Sequence, residues 1–120
     1  MLSFLKTLFH RATPIKLNIL IYEEDGEWVA HCLQMDIVTT NDSEDSVKED
    51  IIDLIKFHII CAIENDNVGY IFKMAPPEEW EKYLQSQNQN CDVRKIAISL
   101  NKEDHRIKPI PLREVECCFA

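Results

Sequence analysis

Hydrophobic and polar positions alternate with period two through the first third of the chain and then switch to helical spacing. In residues 15–22, Ile15, Leu17, Ile19 and Ile21 alternate with Lys16 and Asn18, which marks a strand with one buried face. Leu20 and Tyr22 make its second face partly apolar. Glu23-Glu24-Asp25-Gly26 is a polar turn in which Gly26 is free to take a positive φ. Residues 27–33 are therefore predicted to fold back antiparallel. Trp28, Ala30 and Cys32 then share one face, and Val29 and His31 the other. A loop over residues 34–36 leads to Ile37, Val38, Thr39 and Thr40, whose β-branched side chains suit a third strand.

Asn41-Asp42-Ser43-Glu44 is a helix start. Side-chain oxygens there accept bonds from first-turn amides, and acids favour the positive end of the dipole. With Asp42 or Ser43 as the cap, a wheel places Val47, Ile51, Leu54, Ile55, His58, Cys61 and Ala62 on one face. Ile52, Ile59 and Ile63 widen that face toward the C-terminal end. So broad a stripe exceeds what one small sheet covers, so its far half is expected to meet the C-terminal segment or another subunit. Among apolar neighbours, His58 reads as a buried neutral histidine bonded to backbone or to an adjacent side chain.

Asn65-Asp66-Asn67 stops the helix. Residues 68–75 read as a short strand or extended connector, and Pro76-Pro77 opens a second, shorter helix over residues 78–87. Its stripe of Trp80, Tyr83 and Leu84 is expected against the long helix. Ile96, Ile98 and Leu100 recur with period two, and residues 112–120 read as a last strand or tail. At the N-terminus, Leu2, Leu5, Leu8 and Phe9 suggest a short amphipathic helix that ends before Thr13-Pro14. Lys6 interrupts this run, which is too short to span a membrane and has no cleavage site of the export type. The expected organisation is one α+β domain over residues 1–120: an amphipathic segment at 1–14, a βββα core at 15–64 and a C-terminal extension at 65–120.

Charge narrows the function classes. With 21 acidic and 13 basic residues the net charge is -8, so a broad basic face for phosphate backbones is not expected, and a basic partner is. Arg94, Lys95, Lys102, Arg106, Lys108 and Arg113 are scattered, and no recognition helix stands out for DNA binding. Five cysteines, at positions 32, 61, 91, 117 and 118, have no Cys-x-x-Cys spacing and follow no secretory signal. Reduced thiols in a cytoplasm are the expectation, with no disulfide framework. Cys117, Cys118 and His105 lack the spacing of a tetrahedral metal site. His31, Cys32 and Asp36 could be written as base, nucleophile and orienter, but His31 and Cys32 point to opposite faces of one strand.

The run Tyr22-Glu23-Glu24-Asp25-Gly26-Glu27-Trp28-Val29-Ala30-His31-Cys32 is followed by Asp36-Ile37-Val38-Thr39-Thr40-Asn41-Asp42-Ser43-Glu44 and the long helix. This half of the chain resembles the HicB-like antitoxin family. The resemblance implies a partial ribonuclease-H-like fold, in which a three-stranded antiparallel sheet packs on one long helix, extended by a short second helix and C-terminal strand(s). It also implies a non-catalytic role, binding a small basic toxin-like protein. Full-type members carry a C-terminal DNA-binding segment, whereas residues from Cys91 onward are strand-like here. The loop at 33–36 also lacks the Pro and Gly common in the family.

Two further readings compete with a toxin-binding module. One is a stand-alone structural or regulatory homo-oligomer of the same fold. The other is a metal-dependent nuclease using Glu23, Glu24, Asp25, Asp36 and Asp42, each of which already has an ordinary turn or cap role. No enzyme activity, metal or cofactor is expected. For partner binding, the candidates are the acidic turn Glu23, Glu24 and Asp25, then Ile52, Ile59 and Ile63 on the widened helix face, and Trp80 and Tyr83 on the short helix. Ile59→Asp is expected to alter self-association while sparing the fold.

Overall fold

The computed structural model describes residues 15–86, 92–98 and 114–120. The amphipathic stretch at 1–14, Cys91, Leu100, His105 and the bases Lys102, Arg106, Lys108 and Arg113 lie outside the described residues.

Strands β1 (Ile15–Glu24) and β2 (Glu27–Cys32) form a hairpin whose register pairs Glu24 with Glu27. Asp25 (φ 53°) and Gly26 (φ 81°) fill the turn. Two successive positive φ values define the tight turn whose twist matches that of the flanking strands, and Asp tolerates the left-handed region better than most residues. Strand β3 (Ile37–Asn41) pairs antiparallel with β2. Beyond the long helix and a short one, β4 (Asp92–Ala97) and β5 (Glu114–Phe119) pair with each other antiparallel, and β5 lies parallel to β1. The result is one five-stranded sheet of order β3-β2-β1-β5-β4. The three-stranded sheet expected from the sequence is thus only part of a wider one. Strand β1 sits at its centre, which explains why both its faces carry apolar residues.

Helix α1 (Glu44–Glu64) starts at Ser43, whose hydroxyl accepts the Ser46 amide at 3.1 Å. Glu44 and Asp45 occupy its first turn. It ends at Asn65, whose side chain donates to the Cys61 carbonyl at 2.8 Å. Its buried face is Val47, Ile51, Ile52, Ile55, Ile59 and Ile63. These pack with Leu17, Ile19, Ala30, Cys32, Ile96, Val115, Cys117 and Phe119 from one face of the sheet. Each Val, Leu, Ile or Phe side chain among them contributes about 1.5–3 kcal/mol on burial.

Two expectations are corrected here. Leu54 is not in the buried face but is 37% exposed. Conversely, Ile52, Ile59 and Ile63 are buried, Ile59 completely, in one core cluster that also takes in Ile71 of the connector and Ile96, Val115, Cys117 and Phe119 of the two C-terminal strands. They belong to the core and are not docking residues, so Ile59→Asp would break the fold instead of an oligomer.

The connector after α1 makes one tight turn at Val68–Tyr70 and then runs extended. Its Ile71 carbonyl meets His58 Nε2 at 2.9 Å, the backbone bond expected of that histidine, which is half-buried and not enclosed as expected. Lys73 and Ala75 then donate their amides to the carbonyls of Gln34 and Leu33. Helix α2 (Pro77–Ser86) follows and lies on the opposite face of the sheet from α1. Tyr83 is buried there with Leu20, Leu33 and Ala75, beside Tyr22 and Trp80. The stripe of α2 therefore packs on the sheet and not on the long helix, and Leu84 is left exposed. The helical spacing was legible, but it does not say which apolar surface the stripe will find. No helix among the described residues is long and apolar enough to cross a membrane.

Candidate functional site

The strand register gathers acids at one end of the molecule. Glu24 pairs with Glu27 across the hairpin turn, and Trp28 pairs with Asn41. Asp42 and the first turn of α1, with Glu44 and Asp45, therefore follow β3 at the same end of the sheet. Glu23, Glu24, Asp25, Glu27, Asp42 and Asp45 are all exposed. None of them has an ion-pair partner among the described residues, whereas Lys48 is drawn to Glu44 and Asp92, and Arg94 to Glu49 and Asp92. Lys48 and Arg94 both also lie over the Phe119 ring, 5.4 Å from its centroid. The local bases are thus already engaged, and the hairpin tip keeps its charge. The nearby phenol of Tyr22 is pushed up by burial first, then by the negative charges of Glu79 and Glu24, against the opposing effect of Lys82.

The face under α2 holds the molecule's polar side chains. His31 is buried, and its Nε2 donates to Asp36 Oδ1 at 2.7 Å. Its Nδ1 faces Glu79 Oε2 at 3.5 Å, a buried oxygen without a hydrogen-bond partner. Asp36 reaches His31 because its own backbone is left-handed, at φ 52°. This pair is the base and orienter that the sequence allowed, yet Cys32 lies on the other face, in the apolar core. Burial pushes the Cys32 thiol up to about 12, far from the thiolate a nucleophile requires. The same cause pushes Cys117 up to about 12.

Gln34 makes a second polar node. Its Oε1 accepts the Asn18 amide at 2.8 Å, and its Nε2 donates to the Lys16 carbonyl and to Asn18 Oδ1. The side-chain amide stands in for a strand residue where β2 has ended. Asn18 Nδ2 in turn donates to the Tyr83 hydroxyl at 3.0 Å, tying α2 to the central strand. These bonds give Asn18, His31 and Gln34 structural roles, whereas Glu79 Oε2 and Trp80 Nε1 are buried without a hydrogen-bond partner.

Among the described residues, no group of three or more His, Cys, Asp or Glu side chains could hold a metal ion. Of the acids considered for a nuclease, Glu23, Glu24, Asp25 and Asp42 are exposed at the hairpin and helix start, while Asp36 is bonded to His31. Of the expected partner-binding residues, Glu23, Glu24 and Asp25 lie together on the surface, Trp80 is half-buried, and Tyr83, Ile52, Ile59 and Ile63 are inside.

The sequence reading missed an exposed apolar set. It comprises Val38 on β3, Leu54 and Phe57 on α1, and Tyr70, Phe72 and Met74 on the connector. The available signal was the width of the α1 stripe: apolar residues on more than one flank cannot all be inside. An open apolar groove of about 530 Å³ runs along Met74, Pro77, Trp80 and Leu84. No protein-family model matches the chain, and no curated protein or solved structure shows significant similarity to it.

Proposed function

We propose that the protein is a non-catalytic protein-binding module of the HicB-like antitoxin type, which takes a small basic protein as its partner. The observation that carries this reading is the uncompensated acidic end formed by Glu23, Glu24, Asp25 and Glu27 beside Asp42 and Asp45. Such a concentration of charge steers an oppositely charged surface into encounter and fixes its orientation. Two features add support. Residues 15–64 form the βββα unit that the family resemblance implies, and Asn18, His31 and Gln34 are engaged in bonds within the fold, to Tyr83, Asp36 and Asn18 respectively.

The test begins with the tagged protein, used to capture its partner from the native cell. A basic protein is the expected catch. Purified wild type and the double variant Glu23→Lys/Glu24→Lys are then compared for association with that protein. The variant should associate roughly tenfold more slowly at low salt, and the difference should fade at high salt. Equal association rates at low salt would overturn the electrostatic reading, as would a captured partner that is acidic. A homogeneous oligomer of this chain with nothing else bound would favour the stand-alone regulatory role.

A further inference from the structure

Strand β3 forms an edge of the sheet, and the register fixes which of its backbone groups look outward. The tight turn makes Glu24 and Glu27 a hydrogen-bonded pair. Glu27, Val29 and His31 thus bond toward β1, and Trp28, Ala30 and Cys32 toward β3. Their partners Asn41, Thr39 and Ile37 direct their amides inward, which leaves the N–H and C=O of Val38 and Thr40 on the open side. Natural edges are blunted by charge, proline, a bulge or a covering element. Strand β3, with the sequence Ile-Val-Thr-Thr-Asn, carries neither charge nor proline, and among the described residues no strand pairs with its outer side. The opposite edge strand, β4, carries Asp92, Arg94 and Lys95.

Helix α1 supplies a second, independent observation. Asn41 Nδ2 donates to Asp50 Oδ2 at 2.6 Å, so the Asp50 flank of the helix faces β3. Lys48 and Glu49, on the other flank, reach Asp92 and Arg94 of β4. Leu54 follows Asp50 at helical spacing and lies on this flank, between Asp50 and the buried Val47 and Ile51, whereas Phe57 is on the side of the helix turned away from the sheet. Leu54 is 37% exposed, and Val38 on the other face of the edge is 51% exposed. An open strand edge is therefore flanked on both faces of the sheet by partly uncovered apolar side chains.

Charge selects the occupant. In a second copy paired antiparallel about Thr39, each Asp36 would oppose the other chain's Asp42, between two chains of net charge -8. Like charges directly opposite destabilise a ladder. A strand with Lys or Arg at its ends meets those aspartates favourably instead. We propose that β3 accepts an extended segment of a basic protein as a further strand of the sheet, with β-branched or apolar side chains beside Leu54 and Val38. Main-chain bonds to Val38 and Thr40 supply the affinity, and the apolar flanks and nearby acids supply the selectivity. The proposal rests on the basic-partner reading and narrows it to a mode of binding.

The test uses the heptapeptide acetyl-Lys-Val-Thr-Val-Thr-Val-Lys-amide, and the same peptide with Glu in place of both Lys, titrated into the isotope-labelled protein while amide shifts are followed. The Lys peptide should shift Val38 and Thr40 and saturate in the millimolar range, while the Glu peptide should not. Val38→Pro and Thr40→Pro each remove an outward amide without touching the β2–β3 ladder, and each should abolish the shifts. Leu54→Ser leaves the backbone intact and should weaken binding several-fold, which keeps the test alive if a proline variant unfolds. Shifts confined to Glu23, Glu24 and Asp25 would overturn strand addition and leave the electrostatic reading standing. No shift anywhere would overturn both. A dimer in light scattering that Val38→Pro dissociates would assign the edge to a second copy and likewise overturn the proposal.

Discussion

Under α1 the sheet presents Leu17, Ile19, Ala30, Cys32, Val115, Cys117 and Phe119, whereas under α2 it presents Asn18, Leu20, His31 and the Leu33–Gln34 link. The first interface is aliphatic, and its strength scales with the area it removes from water. The second has a small apolar cluster around Tyr83, supplemented by directed bonds from Asn18, Gln34 and Asp36. Such bonds each contribute little net stability, but an unsatisfied partner is costly. The difference assigns the two faces distinct jobs: the α1 face determines whether the chain folds, and the α2 face determines how α2 and the connector are placed.

Substitutions that unbalance the faces would break or sharpen that contrast. The largest effect is expected for Ile55→Ala, which empties part of the fully buried α1 interface. It should cost about 3–4 kcal/mol, read as a fall in the urea midpoint with a single cooperative transition. A loss below about 1 kcal/mol, the range of surface and single-bond changes, would mean that the α1 face is not the main store of stability. A smaller effect is expected for Tyr83→Phe, which keeps the ring among Leu20, Leu33 and Ala75 but removes the hydroxyl bonded to Asn18. It should cost roughly 1–2 kcal/mol. Hydrogen exchange should rise chiefly in α2 and the connector, with α1 protection reduced only by the global change. Uniform acceleration across both helices would erase the contrast.

The smallest effect at neutral pH comes from the thiols, and it discriminates the faces along a single strand. Cys117 points into the α1 face and Cys118 into the other, where it is only half-buried. Alkylation of the native protein should label Cys118 well before Cys117, and equal rates would contradict the burial. The folded thiols of Cys32 and Cys117 titrate near 12, against 9.0 for an unperturbed cysteine. Between those values the unfolded chain has already released protons that the folded chain still holds, so the stability of the fold decreases as pH rises. Their contribution is fully present below about pH 9 and is lost progressively toward 12. Urea titrations on either side of pH 9, compared with the Cys32→Ala variant, would measure it; a slope unchanged by the substitution would contradict the assignment.

Much of the scaffold was legible in local pattern. The Asp25-Gly26 turn, the Ser43 cap, the Asn65-Asp66 stop and the period of each strand are decided by dihedral preferences and hydrogen bonds within a few residues. The acidic hairpin of the candidate surface was legible for the same reason, since turn residues are exposed wherever the hairpin packs. Ile52, Ile59 and Ile63 were misassigned because a wheel shows which residues are apolar but not how much sheet lies beneath them. Leu54 stands at the margin of the wheel's apolar face, and neither the wheel nor the strand period shows that it, Val38 and Phe57 are left partly uncovered.

The sequence alone determined the order of elements, their boundaries within a few residues, and the excess of negative charge. Only the tertiary structure decided that β5 lies parallel to β1, that Gln34 completes the ladder beside Asn18, that α2 crosses to the second face, and that β3 is left as an edge with Val38 and Leu54 partly uncovered. The physical reason is range. A local conformation is set by neighbours that the chain itself supplies, while strand partners and exposed flanks depend on which distant surfaces close over one another, and apolar attraction carries no direction that could be read in advance.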